Sequence, residues 1–338
     1  TNFINVYLVT RVSVEKNMML RAGTRRAFTC SSRVAASSRA SSLIALEEKH
    51  GCHNYHPLPV VLDRGEGVHV WDVDGNKYLD FLSAYSAVNQ GHAHPKIIAA
   101  LLEQAPKLAL TSRAFHNSVL GEYEEYITTL FGFDKVLPMN TGVEGGESAI
   151  KLARKWGYNV KGVSENKARV IFAEGNFWGR TMSAISSSTD PTSYTGFGPF
   201  MPGFDTVPYN DTRALEALLA GQGGDDVVAV MLEPIQGEAG VVVPDDSYLP
   251  RVRELCDEHN VLLIADEVQV SLSHRVVLHV RFIADFAVVC WCCSCWACFR
   301  RRKTWSPSSN ILTSSFTFLV FLFFFFLCVV FIFLVIFL

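Results

Sequence analysis

Two acids closing an apolar run, Asp266 and Glu267 in VLLIADEVQ, are the first residues of this chain placed to do chemistry. A carboxylate at such a strand end is partly desolvated and seeks a positive partner, so Asp266 could pair with a protonated ring nitrogen and tune an electron-sink cofactor. The structural alternative is an Asp that caps the next element. A second feature is NTGVEGGESAIKLARKWGY, where small residues and free amides precede a helix carrying Ala149, Ile150, Ala153 and Trp156 on one side. The N–H groups near Gly142 and Val143 would there face a phosphate. A tight strand-to-helix turn explains the same glycines without a ligand. Phe177 and Trp178, after VIFAEG, offer a face for a flat ring, although such aromatics also fill cores. Arg180 follows, suited to clamping a carboxylate in bidentate fashion or to a surface ion pair.

These groups need a scaffold that presents them together. ARVIFAEGNFWGR, DVVAVMLEPIQGEAG and NVLLIADEVQ each start as an apolar run of strand length and end on polar residues, with helical TRALEALLA and LPRVRELCDEH between them. Alternation of this kind predicts an α/β fold with a mostly parallel sheet covered by helices on both faces. In such sheets ligands bind beyond the carboxyl ends of the strands, where GNFWGR, EPIQGE and DEVQ project. Upstream, VHVWDVDGNKYLDFL reads as a hairpin turning at Asp74-Gly75-Asn76, and HPKIIAALLEQA as a helix with Pro95 in its first turn.

The 338 residues suffice for two domains, and a net charge of -3 gives no sign of a nucleic-acid partner. That average covers unlike segments. Residues 1–45 carry no acid after Glu15 but are rich in Arg and Ser from Met18, the pattern of a mitochondrial transit peptide, with a disordered basic tail as the alternative. Residues 1–17 precede the first methionines and read as translated upstream sequence. Only Cys52 and Cys256 lie in the globular middle, which argues against a disulfide framework. The run CWCCSCWAC is too congested for a zinc site, so no metal is expected. Beyond Gln269 the texture changes: residues 270–338 hold one acid, Asp285, one lysine, Lys303, and a span-length apolar stretch at 316–338.

The middle resembles the class III aminotransferases dependent on pyridoxal phosphate, and closely their ornithine-specific branch. The runs that carry the resemblance are HNYHPLPVVLDRGEGVHVWDVDGNKYLDFLSAYSAVNQGHAHP, NTGVEGGESAIKLARKWGY, GNFWGRTMSAISSSTDPTSYTGFGPFMPGF, EPIQGEAGVVVP and LLIADEVQ, covering about residues 46–269. The resemblance implies a fold-type I transferase: a leader at 1–45, the N-terminal part of a small domain at 46–105, an incomplete cofactor domain at 106–269, and a non-homologous tail at 270–338. It implies pyridoxal 5'-phosphate held by Gly142 and Val143 at the phosphate, Phe177 on the ring, Asp266 at the pyridine nitrogen and Gln269 near the phenolic oxygen. Arg180 and Tyr55 would receive the carboxylate and amino ends of ornithine, Tyr85 would shape the pocket, and Glu238 would alternate between substrate and an Arg. The reaction implied moves the δ-amino group of L-ornithine to 2-oxoglutarate in a mitochondrial homo-oligomer.

The resemblance breaks at the lysine that such a transaminase uses as nucleophile and base. The family places it about thirty residues beyond Asp266, where this chain reads WCCSCWACFRRRK, so no catalytic lysine is identifiable and Lys303 reads as a basic flank. The expectation is non-covalent cofactor binding at best, with strands missing from one side of the sheet. The tail reads as an intron translated in frame, since Val270-Ser271 can be encoded by a splice-donor sequence; a genuine membrane anchor is the alternative. Other function readings are an acetylornithine or 4-aminobutyrate aminotransferase, with cytoplasm as the other compartment, or a non-catalytic cofactor-binding or dimerising fragment.

Overall fold

The computed structural model describes residues 37–269 and, by their backbone alone, residues 287–290 and 296–299. The chain divides into two compact units, one up to Ala109 and one from Leu110 onward.

The first unit holds helix α1 (Ser38–His50), strands β1 (Leu62–Glu66), β2 (His69–Asp72) and β3 (Lys77–Leu79), and helix α2 (Pro95–Gln104). Helix α1 starts inside the stretch read as leader: Ser37 caps it, its Oγ accepting from the Ala40 amide at 3.1 Å and donating to Asp74 Oδ1 at 2.5 Å. The expected hairpin is β2–β3, paired antiparallel with Trp71 opposite Lys77. Its turn is built on Asp72, whose carboxylate accepts from the Asp74 and Asn76 amides, the Asn76 side chain and the Tyr78 hydroxyl. Burial pushes the Asp72 acid up, but these donors together hold it below the usual carboxylate range. Helix α2 begins at Pro95, where a missing N–H costs nothing.

The second unit runs α3 (Leu120–Phe131), β4 (Lys135–Pro138), α4 (Gly142–Trp156), β5 (Arg169–Ala173), α5 (Met182–Ser186), α6 (Pro191–Tyr194), β6 (Phe204–Val207), α7 (Thr212–Ala220), β7 (Val227–Leu232), α8 (Tyr248–Glu258), β8 (Leu262–Glu267), β9 (Ala287–Cys290) and β10 (Trp296–Phe299). Its sheet has the order β4-β10-β9-β8-β7-β5-β6, parallel from β9 through β6. The expected strands are β5, β7 and β8, and the expected helices α7 and α8.

Alternation along the strands sorts side chains onto two covered faces. On one, Val170, Phe172, Met231, Leu262 and Ile264 pack with Ala149, Ile150, Ala153 and Trp156 of α4. On the other, Ile171, Val230, Leu232 and Leu263 pack with Leu215, Leu219, Val252 and Leu255 of α7 and α8. Each of the buried Val, Leu and Ile side chains contributes about 1.5–3 kcal/mol. At the sheet edge, Arg169 on β5 ties to Asp205 on β6 through two contacts of 2.8 Å.

The sheet side expected to be bare carries two short strands instead. Strand β9 lies parallel to β8, and β10 runs antiparallel to both β9 and β4. AVVC and WACF are apolar and partly β-branched or aromatic, which suits a strand whatever surrounds it. Residues 1–36 of the leader read at 1–45, the stretch at 316–338 and Lys303 lie outside the described residues, and no described helix is long and apolar enough to cross a membrane.

Candidate cofactor site

Chain order reverses between β5 and β7: from β5 the sheet runs outward to β6 on one side and to β7, β8 and β9 on the other. A crevice therefore opens beyond the carboxyl ends of β5 and β7. A loop leaves each of those ends, residues 174–180 after β5 and residues 233–238 after β7, and Asp266 is the penultimate residue of the neighbouring β8.

The N-terminus of α4 enters the same place. Thr141 and Glu144 form a capping box, with the Glu144 amide donating to Thr141 Oγ1 and the Asn140 and Thr141 amides donating to Glu144 Oε2. Gly142 and Val143 stand in the first turn, where helix geometry leaves an amide without an intrahelical acceptor. The helix lies close against the loop after β5. A Cβ on Gly146 would stand 2.8 Å from the Trp178 ring, and one on Gly179 would meet the Val143 side chain. Gly179, at φ 142°, is also a conformation that other residues rarely adopt.

Phe177 and Trp178 part company. Trp178 is core: it is buried, lies stacked on Phe172 with ring centroids 5.8 Å apart, and donates to Ser187 Oγ at 2.8 Å. Phe177 is half-buried at the crevice, with its amide donating to Glu233 Oε1 at 3.1 Å. Arg180 is exposed just before α5.

Asp266 is buried, and Val268 donates its amide to Oδ1 at 3.1 Å, so the cap foreseen as the structural alternative exists too. No described Lys, Arg or His forms an ion pair with it. Burial first, then the neighbouring Glu267 charge, pushes its acid up to about 7 despite the amide. Glu233 is buried beside it and is pushed up to about 8, by burial first and the Asp266 charge second, against the amides of Gly237 and Phe177. Gln269 donates to Glu238 Oε1 at 3.0 Å and leans over Gly237, where any Cβ would strike its amide.

Gly142, Val143, Phe177, Asp266, Gln269 and Glu238 all belong to the second unit, where Glu233 links the Phe177 and Gly237 amides and Gln269 bonds Glu238. Tyr55 and Tyr85 belong to the first unit and are about half exposed, at 53% and 42%. Tyr85 sits in a run of left-handed residues from Ser83 to Ser86, its own φ being 55°. Glu233 was not singled out from the sequence. The signal was there, since it follows directly on β7 much as Asp266 stands near the end of β8.

The arrangement asks for a ligand with a negative group at one end and a positive ring atom at the other. The opening amides of α4 stand at one end, two acids with no basic partner among the described residues stand at β7 and β8, and Phe177 lies by them. The pattern of the class-III aminotransferases matches residues 51–274. The chain belongs to that family. Its match runs five residues past Gln269, where the runs that carry the resemblance end. Among relatives, the mitochondrial ornithine aminotransferase of Drosophila melanogaster is 67% identical over 239 residues, which is 71% of this chain and 55% of that protein. The structure of the Toxoplasma gondii ornithine aminotransferase, with partial occupancy of PLP at its active site, superposes with a TM-score of 0.74 at 44% identity, covering 78% of this chain and 63% of that one. An acetylornithine aminotransferase from Elizabethkingia anophelis superposes at 0.66 with 51% identity, covering 78% and 64%. This class-III chain spans a little over half the length of the curated relative.

Proposed function

We propose that this chain carries the cofactor half of a pyridoxal-phosphate aminotransferase, and that the reaction it serves moves the δ-amino group of L-ornithine to 2-oxoglutarate, giving glutamate 5-semialdehyde and glutamate. The observation that carries the reading is Asp266: a buried acid, raised to about 7, with no basic partner among the described residues. A protonated ring nitrogen supplies the missing charge, and the α4 amides supply the matching anion site.

In this reading the Gly142 and Val143 amides hold the cofactor phosphate and Phe177 covers one ring face. Asp266 accepts from the ring nitrogen and keeps it protonated, which in bound pyridoxal phosphate supports the withdrawal of electrons from the substrate carbon. Gln269, which donates to Glu238, would lie near the phenolic oxygen, and Glu238 would face the substrate side. Within the second unit Arg180 would receive the α-carboxylate as a bidentate pair. We place the protein in the mitochondrial matrix, in line with its Arg-rich, acid-free leader and with the mitochondrial fly relative. A homo-oligomer is the assembly proposed. Cofactor binding in this chain is non-covalent, since the sequence after Gln269 offers only Lys303, and that in a basic flank.

Identity of 51% to an acetylornithine aminotransferase keeps a second substrate in view. Replacing residues 270–338 by the corresponding part of the fly relative, and feeding δ-15N-ornithine, N-acetylornithine and 4-aminobutyrate in turn with 2-oxoglutarate, tests both. Label passing to glutamate fastest from ornithine supports the proposal. Preference for N-acetylornithine or 4-aminobutyrate overturns it.

A further inference from the structure

Glu233 spans the crevice where the chain order of the sheet reverses. Its Oε1 accepts from the Phe177 amide in the loop after β5, and its Oε2 accepts from the Gly237 amide in the loop after β7, each at 3.1 Å. The residue is 6% exposed, so no water competes freely for either oxygen. Its own backbone is pinned from below, because Tyr209 Oη donates to the Glu233 and Pro234 carbonyls at 3.0 Å. Nearby, Gln236 Nε2 donates to the Glu174 carbonyl at 2.7 Å, a second stitch between the same two loops.

What the two amides carry gives the bridge its meaning. Phe177 is the aromatic face of the site. Gly237 precedes Glu238 and is the residue over which Gln269 lies. A carboxyl offers two oxygens: ionised it accepts at both, and protonated its hydroxyl oxygen keeps a lone pair for the second amide, whereas the amide nitrogen of Gln has none. Burial and the Asp266 charge work against keeping it ionised, while the two amides work for it. A group kept at that cost, in a place where an apolar residue would pack, is kept for geometry.

We propose, building on the aminotransferase reading above, that Glu233 is a positioning residue of the cofactor site, one buried carboxyl that locks the Phe177 ring and the Glu238-bearing turn into a single unit. It acts through those residues and touches neither cofactor nor substrate.

The test is Glu233→Gln in the full 338-residue chain, titrated separately with pyridoxal phosphate and with inorganic phosphate. Gln keeps the volume and one oxygen but turns an amide N–H toward one of the two backbone donors. Pyridoxal phosphate should bind about tenfold more weakly, about 1.4 kcal/mol, with a smaller induced circular dichroism per bound cofactor. Affinity for inorganic phosphate should be unchanged, because the α4 amides are untouched. Equal losses for both ligands would mean a general structural defect and would overturn the assignment. So would an unchanged affinity and dichroism. If the unsubstituted chain binds no pyridoxal phosphate, the aminotransferase reading goes first and this inference goes with it. Should the variant not fold, hydrogen exchange of the unsubstituted chain decides. Slow exchange at both loop amides, Phe177 and Gly237, supports the bridge, and fast exchange at either one removes it.

Discussion

Replacing Asp266 by Asn should stabilise the cofactor-free chain at pH 8, the reverse of what deleting a buried hydrogen-bonding acid normally does. The folded Asp266 ionises at about 7, against 3.8 for the free side chain. Between those values the folded protein holds a proton that the unfolded chain has released, so stability falls as pH rises through that window and levels off above about 7. The difference of about 3 units corresponds to roughly 4 kcal/mol, an upper bound on what Asp266 costs the apo fold at pH 8. Asn cannot ionise, yet its Oδ1 still accepts from Val268, so the penalty disappears and the cap stays. Relief spreads to Glu233, whose acid is raised partly by the Asp266 charge. In a fold of this size each kcal/mol moves the melting temperature by about 2–4 °C, so a gain approaching 10 °C is within reach at pH 8. Near pH 4 the two proteins should melt together. Thermal melts followed by circular dichroism at both pH values read this directly. If Asp266→Asn melts at or below the unsubstituted chain at pH 8, the claim of an unpaired buried acid is wrong.

Other expectations concern the supports of the site. Gly179→Ala places a Cβ against Val143 at a φ that Ala avoids, and should cost at least about 2 kcal/mol while weakening pyridoxal phosphate binding; a melt and a titration check it. Thr141→Ala removes the α4 cap and should cost about 1 kcal/mol, restored by Ser at the same position. The first unit should respond to acid in the opposite sense to the second. Asp72 is held below its ordinary value, so its contribution is present above about pH 4 and lost as pH falls through its folded value, which chevrons or melts of Asp72→Asn would show as a flattened acid limb.

Much of this was legible in the sequence because the local signals agreed with the fold. Three apolar runs ending in acids became β5, β7 and β8, and the small-residue helix start became α4 with Ala149, Ile150, Ala153 and Trp156 buried as spaced. Trp178 was ambiguous because an aromatic after a strand can face either way; the glycine at 146 is what admits it to the core. Strands β4 and β6 are four residues each, too short for periodicity to declare them. Helix α1 was hidden by its Ser-rich start, since the contact that anchors it, Ser37 with Asp74, spans 37 residues of sequence. Glu233 needed the sheet order: only when β5 and β7 are seen to be neighbours does its carboxyl join two loops that lie far apart in the chain.

The most direct test of the central claim is an absorbance titration of the full chain with pyridoxal phosphate, repeated on Asp266→Asn and repeated after borohydride. The account predicts saturable binding at one site per chain, weakened by the substitution, with no cofactor retained on the reduced, denatured protein. Absence of saturable binding, or binding indifferent to Asp266, would contradict the site. Cofactor trapped on Lys303 would contradict the reading of the chain beyond Gln269.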